Sequence, residues 1–191
     1  MSTSESAPYH HGALRPALLD AADVLLDEGG TGAVSLREAA RRAGVSPTAA
    51  YRHFTDKEAL LAALAARGFE AFAATLEAAA QEAALGVDDP IAARGVAYVR
   101  FALARPGRFR LMFGPAIRDR SRHPELTTAA EAAFSRFAGA VAASGDACGR
   151  DPREAAVAAW ALVHGLAQLG IDGMLPGDAV ALAEAITRRR P

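Results

Sequence analysis

Apolar residues in this chain recur at helical spacing, and no run of β-branched residues suggests a strand. Leu14, Leu18, Ala21 and Leu25 fall at i, i+4, i+7 and i+11, which predicts an amphipathic helix from Ala13 to Glu28, ended by Gly29-Gly30. Leu36, Ala39, Ala40 and Ala43 form a second apolar face at i, i+3, i+4 and i+7. Ser35 stands before that face as a cap, with Glu38 at capping-box spacing, and Gly44 follows where a left-handed residue stops a helix. Val45 is placed to plug the corner. Ser46 then caps a short helix with Pro47 at its first position, expected to run to Phe54. Two turns are marginal alone, so this helix must pack on its predecessor and serve through its outer face.

Thr55 or Asp56 caps a fourth helix that runs to about Ala84 with no proline and a single glycine, Gly68. Beyond it, proline and glycine signals divide the chain. Asp89-Pro90 opens a helix to about Ala104, and Pro106-Gly107 opens a short one ending near Gly114-Pro115. Pro124 opens another to about Ala143, Asp151-Pro152 a strong one through about Leu169, and Gly177-Asp178 the last, fraying into Arg188, Arg189 and Arg190. Glu154 to Leu169 is apolar nearly all round, so it should be buried on more than one side. Ala179, Leu182, Ala183 and Ile186 give the last helix one apolar stripe. These two helices are the best candidates for a dimer interface. The expectation is an all-α fold of about nine helices: an N-terminal three-helix helix-turn-helix module and a C-terminal helical bundle. In order, these are a flexible arm at 1–11, a DNA-binding domain at 12–55 and a ligand-binding and dimerisation domain at 56–191.

Composition narrows the function. The 191 residues are 51% hydrophobic but only 6% aromatic, which suits closely packed, alanine-rich helices. The net charge is −1, yet Ser35 to Lys57 carries five basic residues (Arg37, Arg41, Arg42, Arg52, Lys57) against Glu38 and Asp56, a local +3. A basic helix-turn-helix is the footprint of double-stranded DNA as partner, because phosphate contacts dominate affinity and the second helix enters the major groove. Cys148 is the one cysteine and nothing resembles a secretory signal, so a reducing cytoplasm is expected. The longest apolar run, Ala155 to Val163, is too short to span a bilayer, so no membrane partner is expected. His10 and His11 are adjacent, and no His, Cys or carboxylate spacing suits a metal. With no nucleophile turn or Gly-rich phosphate loop either, no enzyme activity, cofactor or metal is expected.

The run GALRPALLDAADVLLDEGGTGAVSLREAARRAGVSPTAAYRHFTDKEALLAAL, within about residues 12–64, resembles the N-terminal domain of the TetR/AcrR family of bacterial transcriptional regulators. Tyr51 to Leu60 is its most specific part. Downstream, RPGRFRLMFGP and AWALVHGLAQLGIDGML resemble a subgroup named for a Trp…His-Gly motif, here Trp160, His164 and Gly165. The resemblance implies base-reading roles for Pro47, Thr48 and Ala49, and a guanine contact for Arg37. It also implies phosphate contacts for Tyr51, His53 and Lys57. Pro47 and Ala49 are weak readers, so discrimination falls on Arg37 and Arg52. Ser35 and Ser46 complete the candidate set at helix N-termini, which favour phosphate. The chain departs from the family's commonest pattern at Ala50, where a larger aliphatic residue often sits.

Seven of the eight phenylalanines lie beyond this module: Phe69, Phe72, Phe101, Phe109, Phe113, Phe134 and Phe137. With Tyr98 and Met112 they can line an apolar cavity between helices, or form plain core. Trp160 and His164, one turn apart, join the candidate set, and His164 needs a hydrogen-bond partner in so apolar a helix. The expected function is a homodimeric repressor on a palindromic operator, released by a small apolar or amphipathic effector. The alternatives are a helix-turn-helix regulator without a ligand, and a carrier or enzyme with a vestigial helix-turn-helix.

Overall fold

Proline and capping residues set most of the helix boundaries. The computed structural model describes residues 14–86, 89–145 and 151–188; the arm with His10 and His11, Cys148, Arg189 and Arg190 lie outside them. Nine α-helices form within the described residues: α1 Leu14–Ala33, α2 Leu36–Arg42, α3 Pro47–Tyr51, α4 Lys57–Leu85, α5 Pro90–Ala104, α6 Pro106–Phe113, α7 Pro124–Ala143, α8 Pro152–Ile171 and α9 Ala179–Arg188. A single 3-10 turn, Arg120–Arg122, lies between α6 and α7, and the described residues contain no strand. Proline begins α3, α5, α6, α7 and α8, where its missing N–H leaves no bond unmade. The carboxylates of Asp56, Asp89 and Asp151 accept from the first backbone N–H groups of α4, α5 and α8.

Three local readings change. Gly29 and Gly30 do break α1, with Gly30 at φ 65°, but residues 31–33 add a further helical turn beyond the kink. Helix α3 stops at Tyr51 rather than Phe54, because the N–H groups of His53 and Phe54 both donate to the Ala50 carbonyl and curl the chain. That curl sends Phe54 into the core, 4% exposed, beside the fully buried Ala50. The capping box at α2 is half formed. Ser35 Oγ accepts from the Glu38 N–H at 3.1 Å, but the Glu38 carboxylate turns to Arg41 and Arg42 instead.

Helices α1, α2 and α3 pack together, and α4 continues from them into the bundle, touching α1, α5, α6 and α7. Helix α5 lies against α8 and α9, and α7 closes on α4 and α8. Helix α6 is seated between α1 and α4 by two glycines. A Cβ on Gly107 would stand 3.0 Å from the Leu26 carbonyl oxygen, and one on Gly68 would stand 2.8 Å from Met112 Sδ. By length and composition alone, α4 and α8 are each apolar enough to cross a bilayer. Most of α4 is buried within the bundle. Among the described residues helix α8 is covered on one side, and Val157, Leu162 and Leu169 remain 45%, 46% and 41% exposed.

Candidate nucleic-acid interface and aromatic cavity

The α2–α3 corner is built by caps at each turn. Gly44 takes φ 69°, as the stop after α2 requires, and Val45 packs half-buried against the core. Ser46 Oγ accepts from the Ala49 N–H at 3.3 Å, holding the first turn of α3 outward. This leaves Arg37, Ser46, Pro47, Thr48, Tyr51, Arg52, His53 and Lys57 exposed, with Ser35 and Ala49 half-buried. Tyr51 is 49% exposed, so its ring is a surface feature rather than core.

The five basic side chains of this segment divide into two sets. Arg41 donates to Glu38 at 2.6 and 2.8 Å, while Arg42 makes a bidentate pair with Glu28 on α1 at 2.8 and 2.5 Å and also reaches Glu38. The hydrogen bond from Arg41, helped by Arg42, pulls the Glu38 carboxyl down to about 2. Arg37, Arg52 and Lys57 have no carboxylate partner among the described residues. Their charge is available to an external anion, and it flanks the exposed N-terminus of α3.

The second feature lies within the bundle. A cavity of about 130 Å³ is lined by Phe69 and Phe72 of α4, Tyr98 of α5, Phe113 of α6, Arg120 of the 3-10 turn, Trp160 of α8, and Ala130, Ala133, Phe134 and Phe137 of α7. Its walls are held by edge-to-face ring contacts, including Phe69 on Phe113 at 5.1 Å and Phe72 on Tyr98 at 4.9 Å. Four of the expected residues stand behind the walls. Phe109 and Met112 are fully buried, Phe101 packs on the back of Phe72 at 5.2 Å, and His164 sits behind Tyr98. The partner His164 requires is the Tyr98 hydroxyl, 2.8 Å from its Nδ1, and Trp160 Nε1 donates to the same oxygen at 3.0 Å. Burial pushes the Tyr98 hydroxyl pKa up and that of His164 down, so both stay neutral. Tyr98 therefore accepts from Trp160 and shares a second hydrogen bond with a neutral His164.

Residues 91–189 match the family described as "Tetracyclin repressor-like, C-terminal domain", and residues 18–64 match "Bacterial regulatory proteins, tetR family". The chain belongs to the TetR family. A protein of unknown function from Rhodococcus sp. RHA1 shares 37% identity, with 96% of each chain covered and a TM-score of 0.83. Two TetR-like folds are more distant in sequence. The transcriptional regulator FadR from Bacillus subtilis, solved in complex with stearoyl-CoA, is 16% identical at a TM-score of 0.69, covering 91% of this chain and 95% of its own. The TetR family transcriptional regulator PfmR from Thermus thermophilus is 22% identical at a TM-score of 0.62, covering 90% and 94%. No curated protein matches the chain.

Two features of this TetR-family chain escape sequence reasoning. Arg120 lines the cavity from a short turn whose charged neighbours make it look like any solvated loop. Asp23 of α1, 8% exposed, accepts from Arg105 at 3.0 Å and is paired with Arg108 of α6; Arg105 also reaches Asp27. A signal for Asp23 was present, since it lies four residues after Leu19 and three before Leu26, on a buried stripe. A wider depression of about 1130 Å³ lies between α1, α4 and α7. It is open and polar-rimmed, bounded by the Arg15–Glu125 and Arg67–Asp20 pairs, and it does not enclose a ligand.

Proposed function

We propose that this TetR-family regulator is a repressor that binds a palindromic operator as a homodimer and leaves it when a small apolar or amphipathic effector enters the aromatic cavity. The observation that carries this reading is that one helix serves both features. Lys57 is the first residue of α4 on the DNA side, and Phe69 and Phe72 of the same helix wall the cavity. Twelve residues of helix separate Lys57 from Phe69, roughly 18 Å along the axis. A ligand that favours one setting of α4 therefore shifts the population of recognition-helix positions. Moving from mostly bound to mostly free takes about 5 kcal/mol of differential affinity.

In this reading Thr48 and the methyl of Ala49 meet base edges, Arg37 takes a guanine, and Arg52 reads or anchors beside them. Tyr51, His53 and Lys57 hold phosphate, together with the N-termini capped by Ser35 and Ser46. The second half-site comes from a partner copy seated on the exposed apolar face of α8, with Ile186 of α9, itself 37% exposed, extending that face. Such a protein acts in the bacterial cytoplasm. The cavity favours this reading over a regulator with no ligand. Footprinting on the DNA upstream of its own coding sequence tests it. A symmetric protected site, lost when a metabolite pool is added, is the expected result. No protection of any symmetric site would overturn the reading.

A further inference from the structure

The cavity is walled by rings and alanines, and among the described residues its lining contains one cation. Arg120 donates to the Met112 carbonyl at 2.5 Å, and among the described residues no carboxylate pairs with it. The adjacent Asp119 carboxylate is committed elsewhere, accepting from both the N–H and the hydroxyl of Ser121. A guanidinium carries five N–H donors in a planar fork, so most of this one's capacity is unspent among the described residues. The other polar groups at the cavity satisfy one another: Trp160 donates to Tyr98, and Tyr98 is hydrogen-bonded to His164. An incoming polar atom thus finds one charged donor, and the rest of its surroundings are rings and alanines.

We infer that the effector of this site is a compact monocarboxylate, with an apolar body of about one ring against the aromatic walls and its carboxylate on Arg120. This rests on the effector reading above and specifies its chemistry. The size follows from the volume. The cavity measures about 130 Å³, and an apolar cavity of about 150 Å³ accommodates benzene. The sign follows from Arg120, because a charge-assisted bidentate pair in so apolar a setting favours an anion over its neutral isostere, and a cation is repelled.

Trp160 is the only tryptophan of the chain and lines the cavity, so its fluorescence reports occupancy directly. Titration of the full-length protein with benzoate, benzamide and benzylamine should show benzoate binding at least tenfold more tightly than benzamide, and benzylamine weakest. In Arg120→Gln the benzoate preference should fall to near unity while benzamide binding is kept. Arg120→Lys, which keeps the charge without the fork, should retain part of it. Equal binding of benzoate and benzamide by the wild-type protein, no saturable response to benzoate, or a preference that survives Arg120→Gln would each overturn the inference. Operator release separates it from the reading it rests on. Benzoate that binds through Arg120 but leaves operator DNA in place keeps the anion site and sinks the effector role. Release by a neutral compound that binds where benzoate does not keeps the effector role and sinks the anion site.

Discussion

Arginine is used in opposite ways in the two regions of this protein. In the helix-turn-helix, Arg37 and Arg52 stand exposed and, among the described residues, without a carboxylate partner, ready for an external anion, while Arg41 and Arg42 are neutralised by Glu38 and Glu28. In the bundle, Arg105 and Arg108 are turned inward onto Asp23 and fasten α6 to α1. Arg120 turns toward a cavity lined mainly by apolar side chains. A charge held in water costs nothing to leave unpaired, so the DNA-facing module can keep cations in reserve. A charge taken from water needs a partner, so in the bundle the same side chain becomes a fastener or a receptor. Surface function is thus spread over many weak contacts, and interior function is concentrated in a few groups.

The largest loss is expected where a ring is fully enclosed by its neighbours. Phe109→Ala should cost about 3–5 kcal/mol in denaturant melting, because Phe109 is fully buried among Tyr98, Phe113 and His164. Trp160→Ala should cost clearly less than Phe109→Ala, because one side of that ring faces the cavity and only part of it is buried. Equal losses would make the cavity wall ordinary core. Next, Asp23→Ala should cost about 3 kcal/mol by leaving the largely enclosed Arg108 without its carboxylate. Because that contact joins α1 to α6, the same mutant should respond more weakly to any effector in an operator-release assay. Full response at reduced stability would mean that the ion cluster fastens the two regions without coupling them.

On the DNA side the expected effects are smaller and depend on the sequence bound. Arg37→Ala should cost roughly 1–3 kcal/mol on the operator and relax preference at one base position per half-site. Equal loss on random DNA would show that Arg37 only holds phosphate. Lys57→Ala should weaken binding about equally on all sequences and lower the log–log salt slope by about 1. An unchanged slope would remove Lys57 from the interface. The smallest effect is electrostatic. Glu38 has its folded-state carboxyl lowered from 4.5 to about 2 by Arg41 and Arg42, so its contribution to stability is full above pH 4.5 and is lost as pH falls toward 2. The stability difference between wild type and Glu38→Gln should be flat above pH 5 and vanish near pH 2. A difference that persists in acid would assign the effect to helix propensity instead.

Sequence alone determined the nine helices, their prolines and caps, and the exposed face of the helix-turn-helix. Those features depend on residues within about four positions of each other, where backbone hydrogen bonds and apolar spacing are decided locally. Ser46, Pro47 and Gly44 take the cap, first-turn and positive-φ positions that their immediate neighbours dictate. Even the errors there are local in size, such as the early end of α3 at Tyr51. The aromatic residues were legible as a set but not as a site. Which of them wall the cavity and which stand behind it depends on how α4, α5, α6, α7 and α8 meet, and Phe101, Phe109, Met112 and His164 fell on the far side. The Tyr98–His164 bond spans 66 positions and the Arg105–Asp23 pair spans 82. Contacts at such separations leave no periodic trace in the chain, so only the folded packing could name the partners of Asp23 and set Arg120 apart from the other charged residues.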